Sequence, residues 1–425
     1  MVVLLENIRS GVLAFVFLYP LFMAYVWMIG AIYYYWRRER NTISYQEPPE
    51  LQEHPGVSLV VPCYNEAANI AATISALLKQ NYPHFDIIAV NDGSVDSTGA
   101  ILDQLAEQHP SLRVIHLTQN RGKAMGLRMA ALASPHEFLV CIDGDSLLEP
   151  NATAWIMRHF VQGVRVGAVT GNPRVRTRST LLGKVQVGEF SAIIGLIKRA
   201  QRIYGRLFTV SGVVAGFRKA ALHNVGYWGM DTVTEDIDIS WKLQLNHWDI
   251  RFEPNALCWV LMPETVRGLW KQRLRWAQGG YEAFLQNLPG IFHWKLRRMW
   301  PVLTEFSASV VWSYIMLLVV IIWLLGFLLP LPEYMLLPSM IPQWPGVILG
   351  MTCLLQFAVS LGIDSRYEEK FGRYYYWMIW YPLFFWSVSL LTTIVGFPRA
   401  LLRKRKGNWI SPDRGVPHAK EGHSL

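Results

Sequence analysis

Apolar residues run almost unbroken over positions 11–36, 306–329, 345–363 and 377–397. A helix rises about 1.5 Å per residue, so roughly 20 such residues cross a bilayer core, and runs of this length predict membrane helices. Arg37, Arg38 and Arg40 follow the first run directly and place the next segment on the cytoplasmic side. That run is long, its basic cluster comes after it, and no small-residue cleavage site is evident, so it predicts a retained helix rather than a signal peptide. The later runs do not close the topology. Three crossings carry the C-terminal tail outside, whereas Arg399, Arg403, Lys404, Arg405 and Lys406 favour the inside. One run is therefore expected to be re-entrant or interfacial, and the middle one, short and interrupted by Gln356, is the first choice.

Between the first two runs the texture changes. Residues 46–55 are polar and proline-containing, a linker. Short apolar strands are predicted over 57–62, 86–90, 113–117 and 138–142, with helical spacing over 67–80, a polar helix after the second strand, and a helix over 122–133. This alternation argues for a mostly parallel α/β sheet, in which ligands bind at the carboxyl ends of the strands. Polar motifs stand at those ends, among them Asn91-Asp92-Gly93-Ser94 and Asp143-Gly144-Asp145. Farther on, residues 265–300 interleave Trp270, Trp276, Phe292, Trp294 and Trp300 with Lys271, Arg273, Arg275, Arg297 and Arg298. That mixture predicts helices lying in the membrane interface; an amphipathic core helix is the plainer alternative.

Composition supports the membrane reading: 52% of residues are hydrophobic and 17% charged, against roughly 25% charged in a typical soluble domain. The 18 Trp and 18 Tyr suit interfacial belts or sugar-stacking surfaces. A net charge of +9 admits nucleic acid, anionic lipid or a phosphorylated substrate. No basic block resembles a nucleic-acid arm, so no nucleic-acid role is expected. Cys63, Cys141, Cys258 and Cys353 lie far apart, without metal spacing, and are expected to be free and mostly buried.

Several residues carry chemistry. Asp143 and Asp145, two carboxylates with only a glycine between them, suit a divalent cation bound together with substrate phosphates, or else a polar turn. Asp92 can accept from a nucleobase imide, although Asp-Gly is also a common turn. Thr234-Glu235-Asp236 opens a helix over 237–245. Thr232 and Glu235 have capping-box spacing, and Asp236 suits either the helix dipole or a general base for an acceptor hydroxyl. In Gln272-Arg273-Leu274-Arg275-Trp276, Arg275 can stabilise a departing diphosphate and Trp276 can stack on a sugar. Lys123, after Asn120 and Gly122, can reach a nucleotide or be a solvated helix start. Arg174, Arg176 and Arg178 point to one side of an extended segment, toward phosphates, lipid headgroups or solvent. Ser211-Gly212 and Phe217-Arg218 are candidates for an acceptor channel.

The ordered set Val61-Pro62-Cys63-Tyr64-Asn65-Glu66, Asp92, Asp143 and Asp145, Thr234-Glu235-Asp236, and Gln272 with Arg275-Trp276 resembles the processive family-two glycosyltransferases, which include cellulose, chitin and hyaluronan synthases. Thr170 to Arg174, Glu189 to Arg199, Thr234 to Leu245, Met262 to Thr265 and Trp409 to Gly415 extend the likeness to the bacterial poly-β-1,6-N-acetylglucosamine synthases. The resemblance implies an α/β GT-A type glycosyltransferase domain with a mostly parallel sheet, inserted between N- and C-terminal transmembrane helices. It implies inverting, processive transfer from UDP-N-acetylglucosamine to a growing polysaccharide, coupled to export. On this reading Asp236 is the base, with Glu235 and Arg275 beside it. Pro62, Tyr64, Glu66, Asp92, Lys123, Asp143, Asp145, Gln272 and Arg275 hold the UDP-sugar. Asp143 and Asp145 hold Mg²⁺ or Mn²⁺, and Trp276 and Glu235 meet the acceptor. The resemblance also implies a small membrane partner subunit, cyclic di-GMP as activator, and a multi-pass protein of the bacterial inner membrane with its catalytic domain cytoplasmic. The expected division is a first membrane helix and basic flank (1–40), a linker (41–56), the catalytic domain (57–263), interfacial helices (264–300), a membrane region (301–400) and a basic tail (401–425). A non-processive enzyme using a lipid-linked acceptor, a synthase of another polymer, and a non-catalytic membrane receptor are the alternatives.

Overall fold

A computed structural model describes residues 2–332, 335, 344–368, 371–378 and 381–402. The chain begins with helix α1 (Val2–Tyr34), prolonged by a π-helical turn, Tyr35–Glu39. The α/β unit then runs β1 (Val57–Cys63), α2 (Ile70–Leu78), β2 (Phe85–Asp92), α3 (Thr98–Gln108), β3 (Leu112–Leu117), α4 (Lys123–Ala133) and β4 (Phe138–Ile142), close to the expected bounds. It continues through β5 (Leu147–Leu148), α5 (Ala152–Val161) and β6 (Val166–Val175). A long helical stretch follows, made of α6 (Leu181–Phe190), a π-turn (Ser191–Leu196) and α7 (Ile197–Tyr204). Then come β7 (Val214–Arg218), α8 (Lys219–Asn224), α9 (Glu235–Leu245) and β8 (Asp249–Val260). The last helices are α10 (Val266–Ile291), α11 (Trp300–Leu328), α12 (Trp344–Asp364) and α13 (Tyr381–Leu402), with 3-10 segments at Trp294–Met299 and Phe371–Met378.

The eight strands form one sheet in the order β3-β2-β1-β4-β7-β6-β8-β5. Strands β3, β2, β1 and β4 are parallel, as are β6 and β8, while β7 and β5 run against their neighbours. Side chains alternate across a strand, and β1 has apolar cover on both faces. Leu59 and Val61 join one core with Ile87 and Ala89, and Val60 joins the other with Ile88 and Val90. That is why β1 reads as a continuous apolar run rather than an alternating one. Register aligns the carboxyl ends: Cys63 pairs with Asn91, and Val60 with Cys141. The loops after β1, β2 and β4 therefore emerge along one edge. The cysteines are free and buried, as expected.

Among the described residues, four helical segments, Val2–Glu39, Trp294–Leu328, Trp344–Tyr367 and Phe384–Leu402, are long and apolar enough to cross a membrane. The middle C-terminal run, expected to be the re-entrant or interfacial one, forms a continuous helix whose last residue, Asp364, reaches the catalytic unit. The run after it behaves differently. Met378, just ahead of α13, lies against Gly188 of α6, while Gly396 and Phe397 near the other end lie against Ala277 and Tyr281 of α10. The segment ahead of α13 thus touches the catalytic unit, and α13 itself packs along α10. The cluster Arg403 to Lys406 and the segment Trp409 to Gly415 lie outside the described residues.

Asp364 also corrects the reading of the alternating arginines. Arg174 Nη1 lies 2.9 Å from Asp364 Oδ2, and both side chains are buried. Arg199 joins them, 2.9 Å from Asp364 Oδ1 and 2.6 Å from Glu39 Oε1. Arg178 pairs with Glu368 and donates to the Tyr374 hydroxyl. Only Arg176 of the three is exposed. The extended segment is covered by the chain after α12, so two of these arginines meet carboxylates rather than phosphate, lipid or water.

Candidate active site

The loops at the sheet edge knit together before they make a site. Asn65 takes a positive φ of 54°, and its backbone N–H donates to Ser94 Oγ. Its own Oδ1 accepts from the Val95 N–H. A Cβ on Gly144 would stand 3.0 Å from Glu66 Cγ and 3.4 Å from the Pro62 carbonyl oxygen. The small residue between the two aspartates is thus what lets their loop settle onto β1. Pro62 and Glu66 accordingly sit beside the Asp143–Asp145 loop as its support, and they and Tyr64 fall outside the lining of the main cavity.

Asp92 is fully buried. Its two carboxylate oxygens accept from the backbone N–H groups of Arg121 and Gly122, both at 2.8 Å. It fixes the turn ahead of Lys123, where Gly122 needs its positive φ of 94°. Expected to face a nucleobase, it instead faces the protein's own backbone.

A cavity of about 400 Å³ gathers Lys123, Asp143, Asp145, Ser211, Gly212, Glu235, Asp236, Gln272, Arg275 and Trp276. Lys123 ties its two acidic motifs together: Nζ is 2.6 Å from Asp143, 3.0 Å from Glu235 and 3.0 Å from the Gly212 carbonyl oxygen. Of the three donors of the ammonium, one goes to the Gly212 carbonyl, and both carboxylates stand within ion-pair distance. Burial lowers the Lys123 proton affinity, but the Asp143 and Glu235 charges outweigh it and hold the group cationic. Asp143 and Asp145 are the only acid pair facing the cavity from the sheet, and no group of three His, Cys, Asp or Glu side chains assembles among the described residues. Two carboxylates that leave the rest of a coordination shell to phosphate oxygens and water match what Mg²⁺ takes up, so the residues fit a divalent cation.

Helix α9 aims the second motif. Its N-cap is Thr234, which makes no side-chain cap bond, so the expected capping box from Thr232 does not form. The helix starts two residues later than that box requires, which puts Glu235 in its first position instead of its third; α10 crosses here with Gly279 pressed against the Thr234 side chain. Asp236 Oδ1 accepts from the Ile237 N–H at 3.0 Å. Burial and the neighbouring Glu235 charge raise Asp236 to about 6, against the opposing pull of Lys123 and Arg275. For Glu235 burial acts upward too, but Lys123 wins and holds it below the usual range. A carboxyl that is easily protonated and a fixed anion thus stand side by side. Gly279→Ala is expected to push Thr234 away and shift Asp236, lowering turnover about 100-fold, the scale of a 1 Å misplacement. Adding Thr234→Ala should recover part of that loss in a turnover assay.

On α10, Trp276 is held from two sides: Arg273 lies over its ring at 4.2 Å and Phe190 packs at 6.3 Å. Arg273 is anchored by Glu189, with Nε at 3.0 Å. Arg275 reaches the cavity, and its charge bears on both Glu235 and Asp236. Phe217 and Arg218 do not line the cavity; Phe217 packs on Trp228, and Arg218 donates to carbonyls of Phe160, Gly163 and Val166.

Sequence reasoning missed several polar groups at the cavity floor. Lys198 donates to Thr170 Oγ1 at 3.0 Å, and burial pushes it down to about 7, against the pull of Asp236. Glu305, on α11, accepts from Trp27, Gln201 and Tyr204. The available signal was polar residues standing in apolar helical stretches. Next to this floor lies a second, mostly apolar cavity of about 230 Å³ between α1, α11, α12 and α13, and Ser309, Ile193 and Ile197 line both.

A mostly parallel sheet with acidic motifs at its carboxyl edge, a carboxylate pair opening a crossing helix, and an arginine and a tryptophan facing the same cavity define a glycosyltransferase of GT-A fold. The family model for "Glycosyltransferase like family 2" matches residues 54–279, and the chain belongs to that family. It is 39% identical over 94% of its length, and 98% of the relative's, to a poly-β-1,6-N-acetyl-D-glucosamine synthase of Staphylococcus epidermidis. It is 38% identical, with the same coverage, to a protein so named from Staphylococcus aureus. Among solved structures, a mannosyltransferase from Pyrobaculum calidifontis in complex with GDP-Man and Mn2+ shares the fold, with a TM-score of 0.58 at 19% identity over 94% of this chain and 99% of that one.

Proposed function

We propose that this protein transfers N-acetylglucosamine from UDP-N-acetylglucosamine to a growing β-1,6-linked polysaccharide with inversion at the anomeric carbon, and guides the product across the membrane. The observation that carries the reading is one cavity in which Asp236, the Asp143/Asp145 pair, Arg275 and Trp276 converge, adjoining a second cavity among the membrane helices. Asp236 takes the proton of the acceptor hydroxyl as its oxygen bonds the anomeric carbon and the bond to UDP breaks. One base suffices for a single displacement, unlike glycosidases with two flanking acids. Asp143 and Asp145 would hold a divalent cation, Mg²⁺ or Mn²⁺, which when bound neutralises charge on the leaving diphosphate. Arg275 and Gln272 meet the same diphosphate, and Trp276 carries the acceptor sugar, with Glu235 at its side. Lys123 exchanges a carboxylate for a phosphate oxygen when the donor enters. Asp92 acts on the uridine side through the loop it fixes, and Pro62, Tyr64 and Glu66 support that half of the pocket.

The catalytic domain (57–263) and interfacial helices (264–300) are assigned to the cytoplasmic face of a bacterial inner membrane, where UDP-sugars are made. An α13 that lies along the interfacial helix α10 is itself interfacial rather than spanning, and the basic sequence after it favours the cytoplasmic face. A small membrane partner subunit and activation by cyclic di-GMP belong to the same reading. To test it, membranes containing the protein receive UDP-N-acetylglucosamine or UDP-glucose with Mg²⁺, Mn²⁺ or a chelator. High-molecular-weight β-1,6-linked product from the first donor is expected, lost with chelator and in Asp145→Ala. Short glycolipid products would replace processive synthesis with single transfer. No product from either donor, with partner and activator supplied, would overturn the assignment.

A further inference from the structure

Away from the cavity, a set of arginines surrounds the start of β8. Arg202 and Arg206 both reach Asp249 Oδ1, at 3.0 and 2.9 Å, and Arg251 Nε reaches Oδ2 at 3.3 Å. The Asp249 N–H donates to the Arg165 carbonyl oxygen at 2.9 Å, which brings that residue alongside. Gly205 lies close to the Arg298 carbonyl, so the 3-10 turn ahead of α11 closes the set. Among the described residues, Asp249 is the one carboxylate in ion-pair distance of any of these five arginines. Burial lowers the proton affinity of Arg206; Asp249 opposes this, and the charges of Arg202, Arg298 and Arg165 add to it, leaving Arg206 below the ordinary arginine value.

Five positive charges against one negative, with Arg202 and Arg206 largely buried, make an electrostatic arrangement that is unfinished without another anion. Guanidinium forks match phosphate oxygens in shape and charge. The location narrows the source. Helix α7, which carries Arg202, packs along α1, and the Arg202 charge reaches Tyr34 near the end of that helix. Tyr33, Trp36, Ile203 and Trp294, in the same or adjoining elements, are exposed, as aromatic and apolar side chains are at a bilayer surface. We propose that Arg165, Arg202, Arg206, Arg251 and Arg298 form a binding site for the phosphodiester of an anionic phospholipid headgroup, at the junction of the catalytic unit and the membrane. Asp249 orders the arginines and competes with the lipid for them.

The test uses the full chain in nanodiscs of mixed phosphatidylcholine and phosphatidylglycerol, with the lipid that stays bound on release identified by native mass spectrometry. This readout does not depend on sugar transfer. Wild type should retain phosphatidylglycerol preferentially, and Arg202→Gln/Arg206→Gln should weaken retention on the order of 30-fold, at about fivefold per surface arginine. Asp249→Asn should strengthen it, by about fivefold on the same scale. Because a misfolded double variant would also lose lipid, Asp249→Asn is decisive: unchanged or weaker retention overturns the proposal, as does equal retention of both lipids by wild type. Displacement of the lipid by inorganic phosphate, which itself binds wild type but not the double variant, would keep the phosphate chemistry and move its source to a soluble anion.

Discussion

Replacing Asp236 with asparagine is expected to lower the rate of sugar transfer by about 1,000-fold, within the range for losing a positioned general base, while UDP-sugar binding stays near wild type. The substitution preserves shape and the bond from the Ile237 N–H, but removes the site that receives the acceptor proton. A pH profile separates this role from a structural one. Burial and Glu235 raise Asp236 to about 6, and the base works deprotonated. Wild-type activity should therefore fall as pH drops through about 6, and be flat above it. Glu235→Gln removes a charge that raises Asp236, so the acid limb should move to lower pH. Residual activity in Asp236→Asn should lose that limb. A variant that keeps wild-type turnover, or the same limb, would remove Asp236 from the mechanism.

Arg199→Met is expected to be the most damaging change outside the cavity, costing about 3–5 kcal/mol as a broken buried ion pair. Arg199 is fully buried, as is Asp364, and Glu39 is nearly so. Arg174 completes the set, so two guanidiniums and two carboxylates balance. Removing one cation leaves an uncompensated charge where α1, α7 and α12 meet. Thermal unfolding of the detergent-purified protein should show a large loss of stability, with aggregation on extraction. Glu39→Gln/Arg199→Met should suffer less than Arg199→Met alone, because the orphaned charge goes with its partner. Equal damage in both would mean that packing volume rather than charge dominates there.

The two results differ in how visible they were beforehand. The strand and helix alternation of residues 57–142 was legible because each element carries its own period, and the polar tripeptides at strand ends could be assigned chemistry from local spacing. Asp143 and Asp145 were named that way, while Asp236, Arg275 and Trp276, which lie on helices, owed their roles to the family resemblance; all five share one cavity. Asp92 was also named from spacing, but its hydrogen bonds run to a loop 29 and 30 residues on, and spacing carries no information about which groups a loop brings back. The alternating arginines failed for the same reason: Asp364 lies 190 residues from Arg174.

The sequence alone determined the class of architecture, the apolar runs and the inventory of reactive groups, since periodicity, hydropathy and residue type are local properties. Tertiary structure decided their partners. It set Lys123 between Asp143 and Glu235, pressed Gly279 onto Thr234, laid α13 along α10, and brought Arg202, Arg206 and Arg251 to Asp249. Each depends on elements distant in the chain packing at contact distance. Electrostatic and steric energies fall off over a few ångströms in space, whatever the separation along the sequence.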